Sequence, residues 1–152
     1  MKIKQFASLL ILSLAFNLNA LSSVLPTKIS GKDLFSLNKT MAEIGTKKAM
    51  VIVFLSAKCP CSNSHIDELS KLRQDFPDFS FVGIHSNMDE TETQGQEYFK
   101  KVKLPFPVIQ DQDAQYANQF AAFKTPHSFV IDSKGEVLYQ GGVSNSHDLK
   151  KS

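Results

Sequence analysis

Met50–Leu55 (MVIVFL) is a continuous apolar run, β-branched in its middle, and reads as a strand buried on both faces. The period then changes. Ile66, Leu69, Leu72 and Phe76 recur at helical spacing and make one apolar stripe. Pro60 suits the first turn of that helix and Pro77 ends it. Phe79–Ile84 (FSFVGI) predicts a second strand. The segment Asp89–Lys103 is polar around Tyr98, Phe99 and Val102, the pattern of a surface helix begun by Asp89-Glu90. Phe106–Ile109 predicts a short strand, and Ala114, Ala117, Phe120 and Ala121 a short amphipathic helix. Ser128–Ile131 is a further strand, and Glu136–Gln140 is its hairpin partner across the turn Ser133-Lys134-Gly135. Ahead of all this, residues 21–48 read as a lead-in, with a turn at Ser30-Gly31-Lys32-Asp33 and a short helix over Lys39–Ile44.

Strand, helix, strand, helix and then a hairpin imply an α/β fold with a mixed central sheet flanked by helices: a parallel pair in the first half, an antiparallel one in the second. There are no internal repeats, low-complexity tracts or linkers.

The first twenty residues stand apart. Lys2 and Lys4 give a basic start, Phe6–Phe16 is apolar apart from Ser8 and Ser13, and a polar stretch ends on Ala20. That is the layout of a secretory signal peptide, so residues 1–20 are expected to be removed on export to the periplasm or another extracytoplasmic space, leaving residues 21–152 as one domain. The apolar run is shorter than the ~20 residues a spanning helix needs. The two lysines also change the charge balance: without them 15 basic residues face 15 acidic ones. Neither a nucleic-acid partner nor a membrane after signal cleavage is expected.

Only two cysteines occur, Cys59 and Cys61. Export puts them where disulfides persist, yet a bridge across one residue closes almost no loop and removes little unfolded-state entropy. Reactivity or metal binding is the better use. Cys59 falls where the buried strand becomes a helix, and unpaired N–H groups and the helix dipole favour an anion there. A thiolate is such an anion, with Lys58 an added positive charge, so Cys59 is expected to be the nucleophile and Cys61, one step deeper and less exposed, the resolving thiol. Lys124-Thr125-Pro126-His127 precedes a strand, where a proline marks the strand's start.

Phe54–Ser62, with Phe five residues before the first Cys, resembles the thioredoxin active-site stretch, and Thr125-Pro126 resembles that fold's cis-proline. Phe129-Val130-Ile131-Asp132, Gly135 and Tyr139-Gln140-Gly141-Gly142 are similar to the hairpin of thioredoxin-like redoxins, the alkyl hydroperoxide reductase/thiol-specific antioxidant group. Gly83–Asn87 and Leu104–Val108 resemble the same group. The resemblance spans about residues 27–142. It implies a thioredoxin-like fold, an antioxidant or redox activity without a cofactor, protein or small-molecule disulfides and thiols as partners, and active-site support from Lys58, Pro60, Ser62, Thr125 and Pro126.

The departures are as informative. Thioredoxins separate their cysteines by two residues. Here Ser62 takes the place of the second Cys, Lys58 that of a frequent Trp, and Val53 that of a buried Asp. A Cys59–Cys61 disulfide closes a small, strained ring, which favours an oxidant or isomerase over a reductant. The fold usually ends in a helix covering one sheet face, but only ten residues follow Gly142, so that helix is short or missing and the face beside Glu136–Gln140 is expected to be bare. Two alternatives stand beside exchange. A peroxiredoxin-type peroxidase fits Ser56, three before Cys59. It does not fit Ile52, where such enzymes have Pro, nor a single Arg, Arg73, inside a helix. A Cu(I) carrier would use Cys59 and Cys61 with His85 and His127. Asp67-Glu68, Asp111 and Asp113 read as solvated charges.

Overall fold

The computed structural model describes residues 24–144. The expected leader, His147 and the tail after Ser144 lie outside them. The elements are β1 (Lys28–Lys32), β2 (Lys39–Glu43), β3 (Ala49–Phe54), α1 (Pro60–Ser64), α2 (Ile66–Asp75), β4 (Phe79–His85), α3 (Glu92–Val102), β5 (Val108–Gln110), α4 (Gln115–Phe120), β6 (His127–Ile131) and β7 (Val137–Gly141). No helix among the described residues is long and apolar enough to cross a membrane.

β3 is the middle of a five-stranded sheet of order β5-β4-β3-β6-β7. It pairs parallel with β4, from Ala49 opposite Phe79 to Phe54 opposite Ile84, and antiparallel with β6, from Met50 opposite Ile131 to Phe54 opposite His127. Its alternating side chains feed two cores. Met50, Ile52 and Phe54 pack with Val82, Ile84, Ile109, Phe120, Phe129 and Ile131 on one face. Val53 and Leu55 pack with Leu69, Phe81, Phe99 and Val108 on the other. α2 and α3 cover the second face, while α4 and a separate β1–β2 hairpin cover the first. The mixed sheet with helices on both sides is the architecture expected.

The lead-in differs from expectation. Ser30–Asp33 is no turn and Lys39–Ile44 no helix; both strands of the β1–β2 hairpin run through them. Ile29 sits opposite Ala42, and with Ile44 these alternate residues enter the core at the strand period. The short run KTMAEI satisfies either period, and the sheet face that needed covering decided it. The stripe from Ile66 to Phe76 forms α2, but the helix breaks at His65, and Phe76 is an exposed C-terminal cap. Asp111, expected in solvent, is buried: its carboxylate accepts the Ser86 hydroxyl at 2.7 Å and the Tyr116 and Ala117 N–H groups at 2.9 Å each, capping α4.

The face beside β7 is bare among the described residues. Val137, Leu138 and Tyr139 are all exposed, and a groove of about 230 Å³ runs between α2 and the sheet, lined by Leu69, Leu72, Phe76, Val130 and Val143. Phe129 is the opposite case. It is fully buried, its ring 5.9 Å from Phe54, 5.2 Å from Phe120 and 4.5 Å from the His127 ring. Phe129→Ala is expected to cost about 3–5 kcal/mol in urea unfolding, and Tyr139→Ala on the exposed edge under about 1 kcal/mol; equal losses would mean that Phe129 is not the pin of that core.

Candidate active site

The hydrogen-bond ladder of β3 runs to its last residue and one beyond, with the Leu55 N–H donating to the Ile84 carbonyl at 2.9 Å. The chain then turns through Ser56-Ala57-Lys58 and enters α1. Cys59 is the N-cap of α1 in extended geometry, and Pro60 is the first helical residue, where its missing N–H leaves no bond unmade. The Thr125–Pro126 peptide is cis, as the resemblance implied. The Thr125 carbonyl lies 3.3 Å from Cys59 Sγ, close enough to accept from the thiol. Burial pushes the Cys59 thiol up. The N–H groups of Ser62 and Cys61 and the hydroxyls of Thr125 and Ser62 outweigh it and hold the thiol below its ordinary value.

Lys58 does not act as expected. Its Nζ donates to the Asp89 carbonyl at 2.7 Å, and the groups that lower the Cys59 thiol are hydrogen-bond donors, not this ammonium. Lys58 instead ties the 56–58 turn to the segment after β4. The expected order of exposure is also reversed: Cys59 is half-buried and Cys61 is exposed. Along a helix each residue turns about 100°, so positions two apart face opposite ways and positions three apart share a side. Ser62 therefore sits under Cys59, fully buried, its Oγ accepting the Ser56 N–H at 3.2 Å. The Cys61 carbonyl is held by His65 Nδ1–H at 2.7 Å and Ser64 Oγ at 2.9 Å, which makes His65 Nε2 the acceptor for the Ser144 hydroxyl at 3.1 Å.

The four-ligand copper set is not assembled. His85 shares strand parity with Phe81 and His127 with Phe129, so the two rings lie on opposite faces of the sheet. His85 is fully buried, with Nε2 2.9 Å from Glu90 Oε2 and Nδ1 3.0 Å from Gln110 Oε1. Burial and the Lys124 charge push the His127 ring down. No group of three or more potential metal-ligating side chains occurs among the described residues. Arg73 lies over the Phe81 ring at 5.8 Å and is not among the groups acting on Cys59.

Glu90 is the buried acidic residue behind the Cys59 turn that the pattern missed. It does not begin α3; Thr91 does, with a capping box to Gln94. Glu90 turns inward instead and meets Ser56, Ala57, His85 and Asn87. A buried carboxylate thus stands behind the active-site turn although Val53 supplies none. The only sequence signal was an acidic residue next to a helix cap, which more often faces water. Tyr98, from α3, donates to Asn63 Oδ1 at 3.1 Å; burial first, then the negative charges of Cys59 and Glu90, raise its phenol.

Comparison with curated proteins gives no significant match. Among solved structures, the chain is similar to an uncharacterized conserved protein of Geobacillus kaustophilus, at 22% identity and a TM-score of 0.71, over 80% of this chain and 69% of that one. It is similar to a putative thioredoxin of Neisseria meningitidis at 26% identity and a TM-score of 0.64, over 80% of each chain. A secreted disulfide oxidoreductase of Mycobacterium tuberculosis aligns at 21% identity and a TM-score of 0.60, over 72% of this chain and 79% of that one. Identities of 21% and 22% speak for the thioredoxin-like fold alone. The match to the Redoxin family runs over residues 30–152, through the β1–β2 hairpin, the Cys59 turn and the whole five-stranded sheet, and on that span the chain belongs to the Redoxin family.

Proposed function

We propose that the chain is an exported thiol–disulfide oxidoreductase acting through Cys59. One observation carries the reading: the Cys59 sulfur sits at the mouth of α1, 3.3 Å from the Thr125 carbonyl, with its thiol held low by donors of the first helical turn. The Cys59 thiolate attacks one sulfur of a client disulfide, forming a Cys59–client mixed disulfide and releasing a client thiolate. The Cys61 thiolate then attacks Cys59 Sγ and releases the second client thiolate. The client gains two electrons and the chain is left with a Cys59–Cys61 disulfide; running the steps backward oxidises a dithiol client. Neither direction requires a metal or cofactor. The basic and apolar layout of residues 1–20 supports export, as does likeness to a structure described as secreted.

Cys59 is half-buried at the mouth of α1 and Cys61 is exposed on its first turn, so the second step brings the two sulfurs together by opening that turn. That helix is five residues long, and its opening parts the bonds of Ser64 and His65 to the Cys61 carbonyl. Ser62, fixed under Cys59, cannot resolve a mixed disulfide in place of a thiol.

A lowered thiol pKa means that Cys59 is ionised, and reactive, at pH values where a free thiol is still protonated; the advantage is lost as pH falls through the lowered value. In Cys61→Ser, Cys59 alkylation by iodoacetamide is therefore expected to reach half its plateau below pH ~8.5, the free-thiol value. The Cys59→Ser protein supplies the same profile for Cys61 as a comparison. A lower midpoint for Cys61 than for Cys59 reverses the roles. Incubated with oxidised glutathione, Cys61→Ser should accumulate the Cys59 mixed disulfide, visible by mass spectrometry. The unmutated chain should show a smaller amount, and Cys59→Ser no turnover; unchanged turnover in Cys59→Ser would refute the assignment. N-terminal sequencing of the mature protein should begin near Leu21, and full-length soluble protein in the cytoplasm would refute export.

A further inference from the structure

Glu90 lies in the loop between β4 and α3, its side chain wholly shielded from solvent. An ionised carboxylate in such a place is strongly unfavourable unless its lone pairs are matched by donors. They are matched. Oε1 receives the Ser56 hydroxyl and, at 2.9 Å, the Asn87 amide N–H. Oε2 receives the Ala57 N–H at 2.7 Å and faces His85 Nε2 at 2.9 Å. Burial pushes this carboxyl up, but the bonds from Ser56, His85 and Ala57 and the attraction of His85 prevail and hold it below its ordinary value.

Three of the groups that Glu90 holds belong to the turn between β3 and Cys59: the Ser56 hydroxyl, the Ala57 N–H and, at 3.4 Å, the Lys58 N–H. Because the Ser56 hydroxyl points its hydrogen at Glu90, its lone pairs are free for the Lys58 N–H at 3.2 Å and the Cys59 N–H at 3.0 Å. Ser56 thereby takes up the N–H of Cys59 itself and leaves those of Cys61 and Ser62 for the sulfur. The far side of the clamp is rigid. His85 is the last residue of β4, and Gly95 of α3 lets that helix come so close that an added Cβ would stand 3.2 Å from the His85 ring.

We propose that Glu90 is a positioning residue for Cys59: through the Ser56 hydroxyl and the Ala57 N–H, its carboxylate sets the angle at which the chain enters α1, and so the aim of the first-turn N–H groups at the Cys59 sulfur. The inference rests on the thiol-exchange reading. It differs in sign from a plain charge effect. As a bare negative charge Glu90 would oppose a thiolate, so removing the charge would help Cys59 ionise. As a positioning group its loss disorders the donors and makes Cys59 harder to ionise.

The test is the pH profile of Cys59 alkylation by iodoacetamide in the Cys61→Ser protein, with and without Glu90→Gln or Ser56→Ala. The Glu90→Gln change keeps the shape of the side chain but puts an NH2 where donors already point. Both variants should raise the midpoint and slow alkylation about tenfold at neutral pH, the size of one decade in thiolate population. If Glu90 works through Ser56, the double variant should be no slower than the slower single one. A midpoint unchanged or lowered in folded Glu90→Gln overturns the proposal, as does a fully additive double variant. Should Glu90→Gln fail to fold, Ser56→Ala decides alone, and an unmoved midpoint there overturns it equally. A parent Cys61→Ser protein whose Cys59 titrates like a free thiol removes the exchange reading and this inference with it. A low parent midpoint that neither variant moves removes this inference only.

Discussion

The structure depends on the end of β3 being unable to move. That strand is bonded along both edges, to β4 and to β6, and buried on both faces, so Phe54 and Leu55 are fixed by two ladders and two cores at once. The three partners of the site leave the sheet at the same end. β3 delivers Cys59, β4 delivers His85 and the Glu90 loop, and the cis Thr125–Pro126 peptide leads into β6. Parallel pairing of β3 with β4 and antiparallel pairing with β6 make this convergence a matter of topology: two strands end where the third begins.

On that rigid base the site is assembled from backbone. The groups that favour an anionic Cys59 are N–H donors of the first turn of α1 and two hydroxyls. Such donors act over a hydrogen-bond length and only along a suitable direction, so the site places strict demands on the angle of a helix five residues long. Within α1, Ser62 bonds back to the preceding turn at the Ser56 N–H. The other polar groups that reach that turn come from the segment after β4: Glu90 and the Asp89 carbonyl.

The one-residue spacing of the cysteines has a structural counterpart. Helical phase puts position 62 beneath Cys59, and that place holds a hydroxyl, buried and bonded. Cys61 is displaced to the solvent side, its carbonyl fastened by His65 and Ser64. The thiol that would complete a disulfide is thus exposed to an incoming molecule before it can reach Cys59. In the proposed exchange this geometry would slow internal closure and lengthen the life of an open mixed disulfide, in the same sense as the strain of a ring spanning one residue.

The mixed sheet, the strand that carries Cys59, the helix after it and the hairpin at the end were legible in the chain, because long apolar runs and helical stripes have one burial that suits them. The Cys-Pro-Cys run at a strand–helix junction pointed to the candidate site for a similar reason: a helix start and a thiol have a direct electrostatic relation. Tertiary structure alone decided what depended on a partner distant in the chain. The β1–β2 segment took the strand period because Ile29, Ala42 and Ile44 had a sheet face to cover. Asp111 and Glu90, acidic residues beside polar neighbours, went inward because helix α4 and the Ser56 turn offered them donors. Lys58 turned from the thiol to a carbonyl thirty-one residues away, and His85 and His127 were parted by the sheet itself. Local sequence carries the period of burial, whereas the direction of a polar side chain is set by donors that only folding brings within reach.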